Sequence, residues 1–382
     1  MHIFFLMMAA LLALMLLGFP VALSMGVTSV LALGVLRGFT AIPWDILSQR
    51  IMYGVTNFTL LAIPFFILAG RLCNEAKITD RIFEFAKCLV GHFKGGLGHV
   101  NILGSMIFAG MSGSAVADAG GLGQMEIKAM VDEGYDLEFS TAVTAASATI
   151  GPIIPPSIPM VIYGAMAGES VAKLLIAGFF PGIVMGLAMM ALLVMMAPWY
   201  GFKGKRRAPS SEMLAALKRG VLPLMAPVIL IGGIVSGVFT PTEAADIAVV
   251  YALLMGIIYR TITLSSFIGI LKDSMMDTAV ILFIVAGSSV YSWVIARYQV
   301  TDVLVNWIGS AVSNPLMFLL VINLFLLLVG CFIDPTPALF ILVPVFMPMV
   351  KQYGIDPIHF GVIMVFNLMI GLVTPPVGTV LY

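Results

Sequence analysis

The chain has 382 residues, of which 61% are hydrophobic and only 10% charged, and its formal net charge is zero. Soluble domains carry roughly 25% charged residues, so this composition excludes an ordinary soluble protein and predicts one that lies in a membrane. A net charge of zero gives no bulk attraction to nucleic acid, and no nucleic-acid partner is expected.

Apolar stretches long enough to cross a membrane recur along the chain. A crossing of ~30 Å takes about 20 helical residues, and backbone groups without water must pair within helices. We therefore predict an all-α integral membrane protein in contact with lipid. The first stretch could be a signal peptide, but no Lys or Arg precedes it, which favours a membrane helix. The predicted crossings are 3–18, 19–37, 54–72, 137–168, 172–198, 221–239, 241–259, 274–296 and 357–382.

Two further apolar segments, 96–130 and 315–352, each break near the middle. The breaks are Ser112-Gly113-Ser114 and Asp334-Pro335-Thr336-Pro337. An arm such as Leu97 to Met111 has 15 residues. Such an arm is about 22 Å long, which is too short to cross. We predict two re-entrant helical hairpins with tips at mid-membrane, and a pair of spanning helices at each segment is the alternative.

The distribution of Lys and Arg predicts the orientation, because cytoplasmic loops collect both residues. If each segment returns to the side from which it entered, 14 basic residues fall on one side and 5 on the other. The first hairpin is then cytoplasmic, the second is outside, and the amino terminus is outside. Spanning pairs would give the same division. The larger set is Arg71, Lys77, Arg81, Lys87, Lys94, Lys128, Lys203, Lys205, Arg206, Arg207, Lys218, Arg219, Arg260 and Lys272.

The sequence repeats itself at an offset of 220 residues. Gly110 then aligns with Gly330, Ser114 with Asp334, Gly151 with Gly371, and Pro155-Pro156 with Pro375-Pro376. Each copy has an odd number of crossings, so the second copy is inverted. Inverted repeats with broken helices at the midplane are typical of secondary transporters. The predicted units are a first repeat at 1–198, a cytoplasmic linker at 199–220 and a second repeat at 221–382, whose last helix we expect to be incomplete.

The predicted breaks in 137–168 and 357–382 indicate cation sites. Prolines lack an N–H group and glycine relaxes the backbone, so several carbonyls lose their helical donors at Gly151 to Pro156. Na⁺ is a natural partner for such carbonyls, and each hairpin tip adds side-chain oxygens. The tips also place helix amino termini near the midplane, which favours an anionic substrate between them. The candidate substrate contacts are Ser114, Asp118 and Ser157.

Five segments together resemble the large membrane subunit of the TRAP (tripartite ATP-independent periplasmic) transporter family. They are Gly104–Ser105, Ser112–Asp118, Ile150–Pro159, Phe239–Ala245 and Gly371–Pro376. The resemblance runs essentially from end to end. It implies a transporter, not an enzyme, that imports a sialic acid, a C4-dicarboxylate or a related sugar or keto acid by Na⁺ symport.

The same resemblance implies partners and a mechanism. A scaffold stays fixed while a transport domain built around the two hairpins moves like an elevator in the bacterial inner membrane. A separate small subunit of about four helices and a periplasmic substrate-binding protein are expected. Two Na⁺ sites are implied, at Ser112, Ser114, Gly151, Ile154 and Pro156, and at Asp334, Thr336, Gly371, Thr374 and Pro376.

Structural roles are the alternative at several of these positions. Ser112, Ser114, Asp118 and Asp334 could each satisfy backbone groups at a helix end. Glu243 follows Thr240-Pro241 and is interpreted as the first-turn acid of a capped helix.

Two other functions remain as alternatives. A stand-alone cation-coupled carboxylate carrier of similar fold would need no binding protein. An intramembrane serine protease is suggested by Gly110-Met111-Ser112-Gly113, with His359 as its single candidate base.

Overall fold

A computed structural model describes residues 2–202, 204, 206–299, 312 and 314–381. Over these residues the chain is helical and contains no strand, which confirms the predicted all-α class. Lys203 and Lys205 of the predicted cytoplasmic loop, and Tyr382 at the end of the last predicted crossing, lie outside the described residues.

Seventeen α-helices follow one another in the described ranges. They are α1 His2–Leu16, α2 Val21–Arg37, α3 Trp44–Val55, α4 Ala62–Glu75, α5 Ile78–Val90, α6 Gly96–Ser112, α7 Ala115–Asp118, α8 Gln124–Asp132, α9 Leu137–Ala148, α10 Ile158–Ala167, α11 Val171–Met196, α12 Ser210–Val235, α13 Pro241–Ile258, α14 Leu264–Arg297, α15 Pro315–Gly330, α16 Pro335–Gln352 and α17 Pro357–Gly371.

Five helical segments of the described chain are long and apolar enough to cross a membrane. They are Phe58–Glu75, α11, α12, α13 and α14. Their outer faces are apolar as well as exposed: Met195 is 70% exposed and Val228 61%. In water, apolar side chains are normally buried, and large exposed apolar faces are unfavourable. These faces therefore suit contact with lipid. The predicted crossings at 3–18 and 19–37 form the shorter apolar helices α1 and α2.

Both predicted helical hairpins are present. In the first, α6 ends at Ser112, the chain turns at Gly113, and the returning arm consists of α7, a π-helical turn at Ala119–Gly123, and α8. The second hairpin consists of α15 and α16, with its tip at 331–334. The π-turn was not predicted, because its glycine-rich sequence reads equally well as an ordinary helical turn.

Both predicted helix breaks are also present. Residues 149–157 separate α9 from α10, and residues 372–381 follow α17 without further helix. Each break contains a cis peptide bond, at Pro155-Pro156 and at Pro375-Pro376.

The helices pair as an inverted repeat requires. At the offset of 220 residues, α2 corresponds to α13, and α3 with α4 corresponds to the single long helix α14. The two most extensive pairings between the repeats are α4 with α13 and α14 with α2, which are the same pair in the two copies. The hairpin arms repeat the pattern, because α6 packs on α9 and α15 on α17.

The capping role of Glu243 is confirmed. The Thr240 hydroxyl accepts a hydrogen bond from the Glu243 backbone N–H at 3.3 Å, and the Glu243 carboxylate accepts one from the Thr240 backbone N–H at 2.8 Å. This reciprocal pair fixes the start of α13.

The α2–α14 pairing requires glycine at position 287. A Cβ there would lie 3.0 Å from the Ala22 carbonyl carbon and closer still to its oxygen. We expect Gly287→Ala to separate the two helices and to destabilise the protein by about 1–3 kcal/mol, as overpacking does. The unfolding temperature in detergent measures this. Gly269→Ala is the control on the same helix, since nothing lies within 4 Å of its Cβ position. Equal effects of the two substitutions would contradict the close approach.

Candidate functional site

The two hairpin tips face a cavity of about 580 Å³ between α4 and α14. Its polar lining comes from both repeats. The side chains that matter here are Arg71, Asn74, Ser112, Ser114, Asp334 and Thr336. The predicted convergence of the two tips is therefore observed.

In the first repeat the tip lies directly on the break. The Ile158 backbone N–H donates to the Gly113 carbonyl at 3.5 Å. A Cβ at Gly151 would lie 3.3 Å from the Ser114 carbonyl oxygen, and a Cβ at Gly113 would lie 2.6 Å from the Pro156 carbonyl oxygen. Four of the five predicted residues thus come together: Ser112, Ser114, Gly151 and Pro156. The Ile154 side chain packs instead against α11 at Gly182, so this residue can offer the site only its backbone.

The two serine hydroxyls of the first tip differ in their hydrogen bonding. The Ser114 hydroxyl accepts a hydrogen bond from the Ala117 N–H at 3.3 Å and caps α7, as the structural alternative expected. The Ser112 hydroxyl is buried and has no hydrogen-bond partner among the described residues. A buried unpaired hydroxyl is costly, so Ser112 is an oxygen that suits an added ligand.

The second tip is built in the same way. Asp334 caps α16, because one carboxylate oxygen accepts from the Thr336 N–H at 3.0 Å. Its other oxygen accepts from the Thr379 hydroxyl at 3.5 Å. The Val377 N–H of the break donates to the Cys331 carbonyl of the tip at 3.1 Å. Each repeat therefore joins its break to its tip through one backbone hydrogen bond.

The remaining predicted residues of the second site lie around this junction. The Gly371 backbone touches that of Gly330, since a Cβ at Gly371 would lie 2.5 Å from the Gly330 carbonyl carbon. The Thr374 hydroxyl donates to the Ile370 carbonyl at 2.7 Å. Thr336 lines the cavity, and Pro376 is exposed.

Two predicted substrate contacts point away from the cavity. The Ser157 side chain is fully buried; it donates to the Pro152 carbonyl and accepts from the Met160 N–H at 3.2 Å, which closes the break. Asp118 is 1% exposed and does not line the cavity. Of the three candidates, Ser114 alone belongs to the cavity wall.

Asp118 has a neighbour that sequence reasoning missed. Glu126, on α8, is fully buried and lies eight residues after Asp118 on the same hairpin arm. No hydrogen-bond partner exists within the described chain for any of the four carboxyl oxygens. The Ser105 hydroxyl lies beside Asp118 but donates to the Ser147 hydroxyl at 3.2 Å. An acid inside the apolar second arm was the signal that could have identified Glu126.

Buried polar side chains fasten each hairpin to the broken helix beside it. In the first repeat the Asn101 amide donates to the Thr144 hydroxyl at 2.7 Å, and the Ser147 hydroxyl donates to the Asn101 carbonyl oxygen at 2.5 Å. In the second, the Asn367 amide donates to the Asn323 carbonyl oxygen at 2.6 Å. Ser147 and Asn367 are equivalent at the 220-residue offset. In each copy, the hairpin and its broken helix are thus joined into one hydrogen-bonded unit.

Arg71 was predicted only as a topology signal, but it lines the cavity. Its Nη2 lies 2.6 Å and its Nε 3.2 Å from Asp277 Oδ2 of α14. Its Nη1 lies 3.6 Å from Asp273 Oδ2. The signal was its position directly after Ala69-Gly70, a pair that recurs in the second half as Ala286-Gly287, three residues short of the 220-residue offset.

The protease alternative lacks its base. Ser112 lines the cavity, whereas His359 lies in the first turn of α17 and does not. The end of α17 reaches the cavity at Met369 and Leu372, so His359 is about 15–20 Å away along the helix.

A model of the tripartite ATP-independent periplasmic transporter family, DctM component, matches residues 8–382. The chain belongs to this family. It is 48% identical over 366 residues to the sialic acid TRAP transporter large permease protein SiaM of Vibrio cholerae serotype O1, covering 96% of this chain and 85% of that protein. The chain is thus a TRAP large subunit and not an enzyme.

Other TRAP proteins are similar to it at lower identity. The C4-dicarboxylate TRAP transporter large permease protein DctM of Pseudomonas aeruginosa is 40% identical over 85% of this chain and 77% of its own length. The sialic acid TRAP transporter permease protein SiaT of Haemophilus influenzae is 41% identical over 97% of this chain, which spans 60% of that protein. The crystal structure of the Alcanivorax borkumensis YdaH transporter shares the fold, with a TM-score of 0.63 at 14% identity over 89% of this chain and 81% of that one.

The contact between tip and break can be tested at Gly113. Its backbone φ is +62°, a region that costs an alanine about 1–2 kcal/mol. A Cβ would also collide with the Pro156 carbonyl. We expect Gly113→Ala to lower the unfolding temperature more than Gly168→Ala, because Gly168 has a φ of +72° with nothing within 4 Å. Equal losses would mean that the tip and the break are not in contact.

Proposed function

We propose that this TRAP large subunit imports an organic acid by Na⁺ symport, with an elevator movement of the two hairpins. The observation that carries the proposal is the meeting of both hairpin tips, each joined to its own break, at the cavity between α4 and α14. Such a site, with helix breaks and hydroxyls from two inverted repeats, suits the coupled binding of cations and one substrate.

The substrate we propose is a carboxylate, with sialic acid favoured. The relatives are named for sialic acid, for 2,3-diketo-L-gulonate and for C4-dicarboxylates, all of which carry a carboxylate. The relative of 48% identity is a sialic acid permease. The cavity, at about 580 Å³, is large enough for a sugar acid and offers it hydroxyl and amide groups.

Two Na⁺ ions would bind where each tip meets its break. Ser112 supports the first site, because its buried hydroxyl has no partner among the described residues. Asp334 supports the second, because it places a carboxylate beside Thr336 at the cavity wall. Backbone carbonyls of Gly151, Ile154 and Pro156 would complete the first site. Those of Gly371, Thr374 and Pro376 would complete the second.

The proposed moving body is the pair of hairpins with the broken helices. Asn101 and Ser147 in one repeat, and Asn323 and Asn367 in the other, join each hairpin to its broken helix. The proposed scaffold contains α2, α4, α13 and α14, which pair with one another across the repeats. The cavity lies along the boundary between these two bodies.

The proposed partners are a separate small membrane subunit of about four helices and a periplasmic binding protein that delivers the substrate. The exposed apolar faces of the helices have room for lipid and for such a subunit. We place the protein in the bacterial inner membrane with its amino terminus in the periplasm, as the distribution of Lys and Arg predicts.

Membership of the TRAP family argues against the alternative of a stand-alone carboxylate carrier. The likeness to YdaH shows the fold alone, so it does not separate the two functions. Affinity purification from the native host separates them, because a TRAP subunit will co-purify with a four-helix protein and a stand-alone carrier will not.

Sodium dependence is the first test of this proposal. We expect uptake of sialic acid into proteoliposomes, reconstituted with both partners, to require an inward Na⁺ gradient. Equal uptake in choline buffer under a proton gradient would overturn the Na⁺ assignment. Ser112→Ala should raise the Na⁺ concentration for half-maximal uptake several-fold, because it removes one oxygen of the proposed site. Folding should be little affected, since that oxygen has no hydrogen-bond partner among the described residues.

Two variants make this test specific. Asp334→Asn keeps an oxygen that can accept from Thr336 N–H, so the cap survives while the charge is lost. It should also weaken the response to Na⁺. Ser48→Ala is the control, because this exposed serine of α3 bonds only to the Trp44 carbonyl of its own helix. A normal Na⁺ response in both Ser112→Ala and Asp334→Asn would refute the two sites.

The elevator movement predicts distance changes between the two bodies. Spin labels at Val116, on the first tip, and Val250, on α13, occupy exposed positions. We expect their separation to change by several ångströms between Na⁺-bound and Na⁺-free protein, because one body slides past the other. Pulsed electron paramagnetic resonance measures this distance in a background without the three native cysteines.

A pair within the moving body is the control. Val116 and Leu137, at the start of α9, both belong to the hairpin unit and are both exposed. Their separation should stay constant. A constant distance for both pairs, with transport intact, would eliminate the elevator and leave only local movements of the tips.

A further inference from the structure

The cavity contains one basic side chain among its described lining residues, Arg71 of α4. Its neighbours on the helix hold it against the first tip. Gly70 lies so close to the tip that a Cβ there would be 3.4 Å from the Ser112 Cα. The Asn74 amide donates to the Ala117 carbonyl at 3.5 Å. The guanidinium is therefore fixed at the level of the tip, where the proposed substrate binds.

The ion pair of Arg71 leaves part of its binding capacity unused. Nε and Nη2 both approach a single oxygen, Asp277 Oδ2, at 3.2 and 2.6 Å. This is one-oxygen binding and not the two-oxygen fork in which a guanidinium binds a carboxylate best. Nη1 is 3.6 Å from Asp273 Oδ2, beyond a good hydrogen bond. One edge of the guanidinium is thus loosely engaged.

The pair is also accessible. The side chains of Arg71, Asp273 and Asp277 are 38%, 62% and 47% exposed. Exposed ion pairs contribute little to stability because water screens them. Another carboxylate that enters the cavity can therefore replace Asp277 without a large loss of folding stability.

We propose that Arg71 binds the carboxylate of the substrate, and that Asp277 occupies the same guanidinium when the cavity is empty. This inference rests on the proposed function, since it assigns the carboxylate group of the proposed substrate to one residue. Asp277 acts as an internal competitor that sets the affinity. Because Arg71 belongs to α4 of the proposed scaffold, the contact exists only when the first tip lies beside α4.

Equilibrium binding to the purified complex with the small subunit tests this assignment. The probes are radiolabelled sialic acid and its methyl ester, which lacks the negative charge. Wild-type protein should prefer the acid. Arg71→Gln should weaken binding of the acid by about tenfold or more and remove the preference over the ester, because a charged hydrogen bond is lost. Asp277→Asn should strengthen binding of the acid several-fold.

The alternative is that Arg71 only ties α4 to α14, and the reversed pair Arg71→Asp with Asp277→Arg distinguishes it. A structural tie predicts that reversal restores both the unfolding temperature and binding. The substrate role predicts an unfolding temperature close to that of wild-type protein, because the exposed pair contributes little to stability, while acid binding stays weak. Recovery of binding in the reversed pair, or an unchanged preference for the acid in Arg71→Gln, would overturn the proposal.

Arg81→Gln is the matched control for loss of a positive charge. Arg81 stacks on Tyr259, with its guanidinium carbon 3.6 Å from the ring centre, and it is not part of the cavity lining. Its loss should leave the preference for the acid unchanged. If wild-type protein bound neither sialic acid nor succinate in Na⁺, the proposed function would fail together with this inference. Na⁺-dependent binding that is unaffected by Arg71→Gln would overturn the inference alone.

Discussion

The hydrocarbon core has no water, so every backbone group at a helix break must find a partner within the protein. This constraint governs both halves of the molecule. Each break rests against a hairpin tip, and one backbone hydrogen bond joins them: Ile158 to Gly113 in the first repeat and Val377 to Cys331 in the second. The backbone of each break is therefore paired through the hairpin that ends against it. A site with freed carbonyls and hydroxyls follows from the same arrangement.

The junctions extend into rigid units through buried amides and hydroxyls. Asn101 with Ser147, and Asn323 with Asn367, connect hairpin to broken helix at equivalent places. In a membrane each such hydrogen bond contributes about 0.6 kcal/mol of stability on average. These bonds therefore matter as much for holding the two helices in register as for stability. Between the helices α4 and α14 and the tips, the described residues show a single side-chain hydrogen bond, the long one from Asn74 to the Ala117 carbonyl. This difference in bonding favours a boundary between two bodies at the cavity.

The order of residue types along the chain determines much of this architecture. The apolar stretches, the interruptions at Ser112-Gly113-Ser114 and Asp334-Pro335, and the 220-residue repeat together determine the helices, hairpins and breaks. They do so because Pro and Gly act locally on the backbone, and because a charge or a missing N–H has the same consequence in any membrane helix. Pairing of each tip with its break was predictable for the same reason, since both lacked partners.

The direction of individual side chains was decided by tertiary packing alone. Asp118 and Ser157 were interpreted as substrate contacts from the sequence, yet both side chains are buried outside the cavity lining, and Ser157 bonds within its own break. Glu126 was not identified from the sequence and Arg71 was assigned only to the topology, yet one is fully buried and the other lines the cavity. Sequence determines which groups need a partner, because that need is local. Which partner each group meets depends on helices more than 200 residues apart, such as those of Arg71 and Asp277, and only the packed structure brings these together.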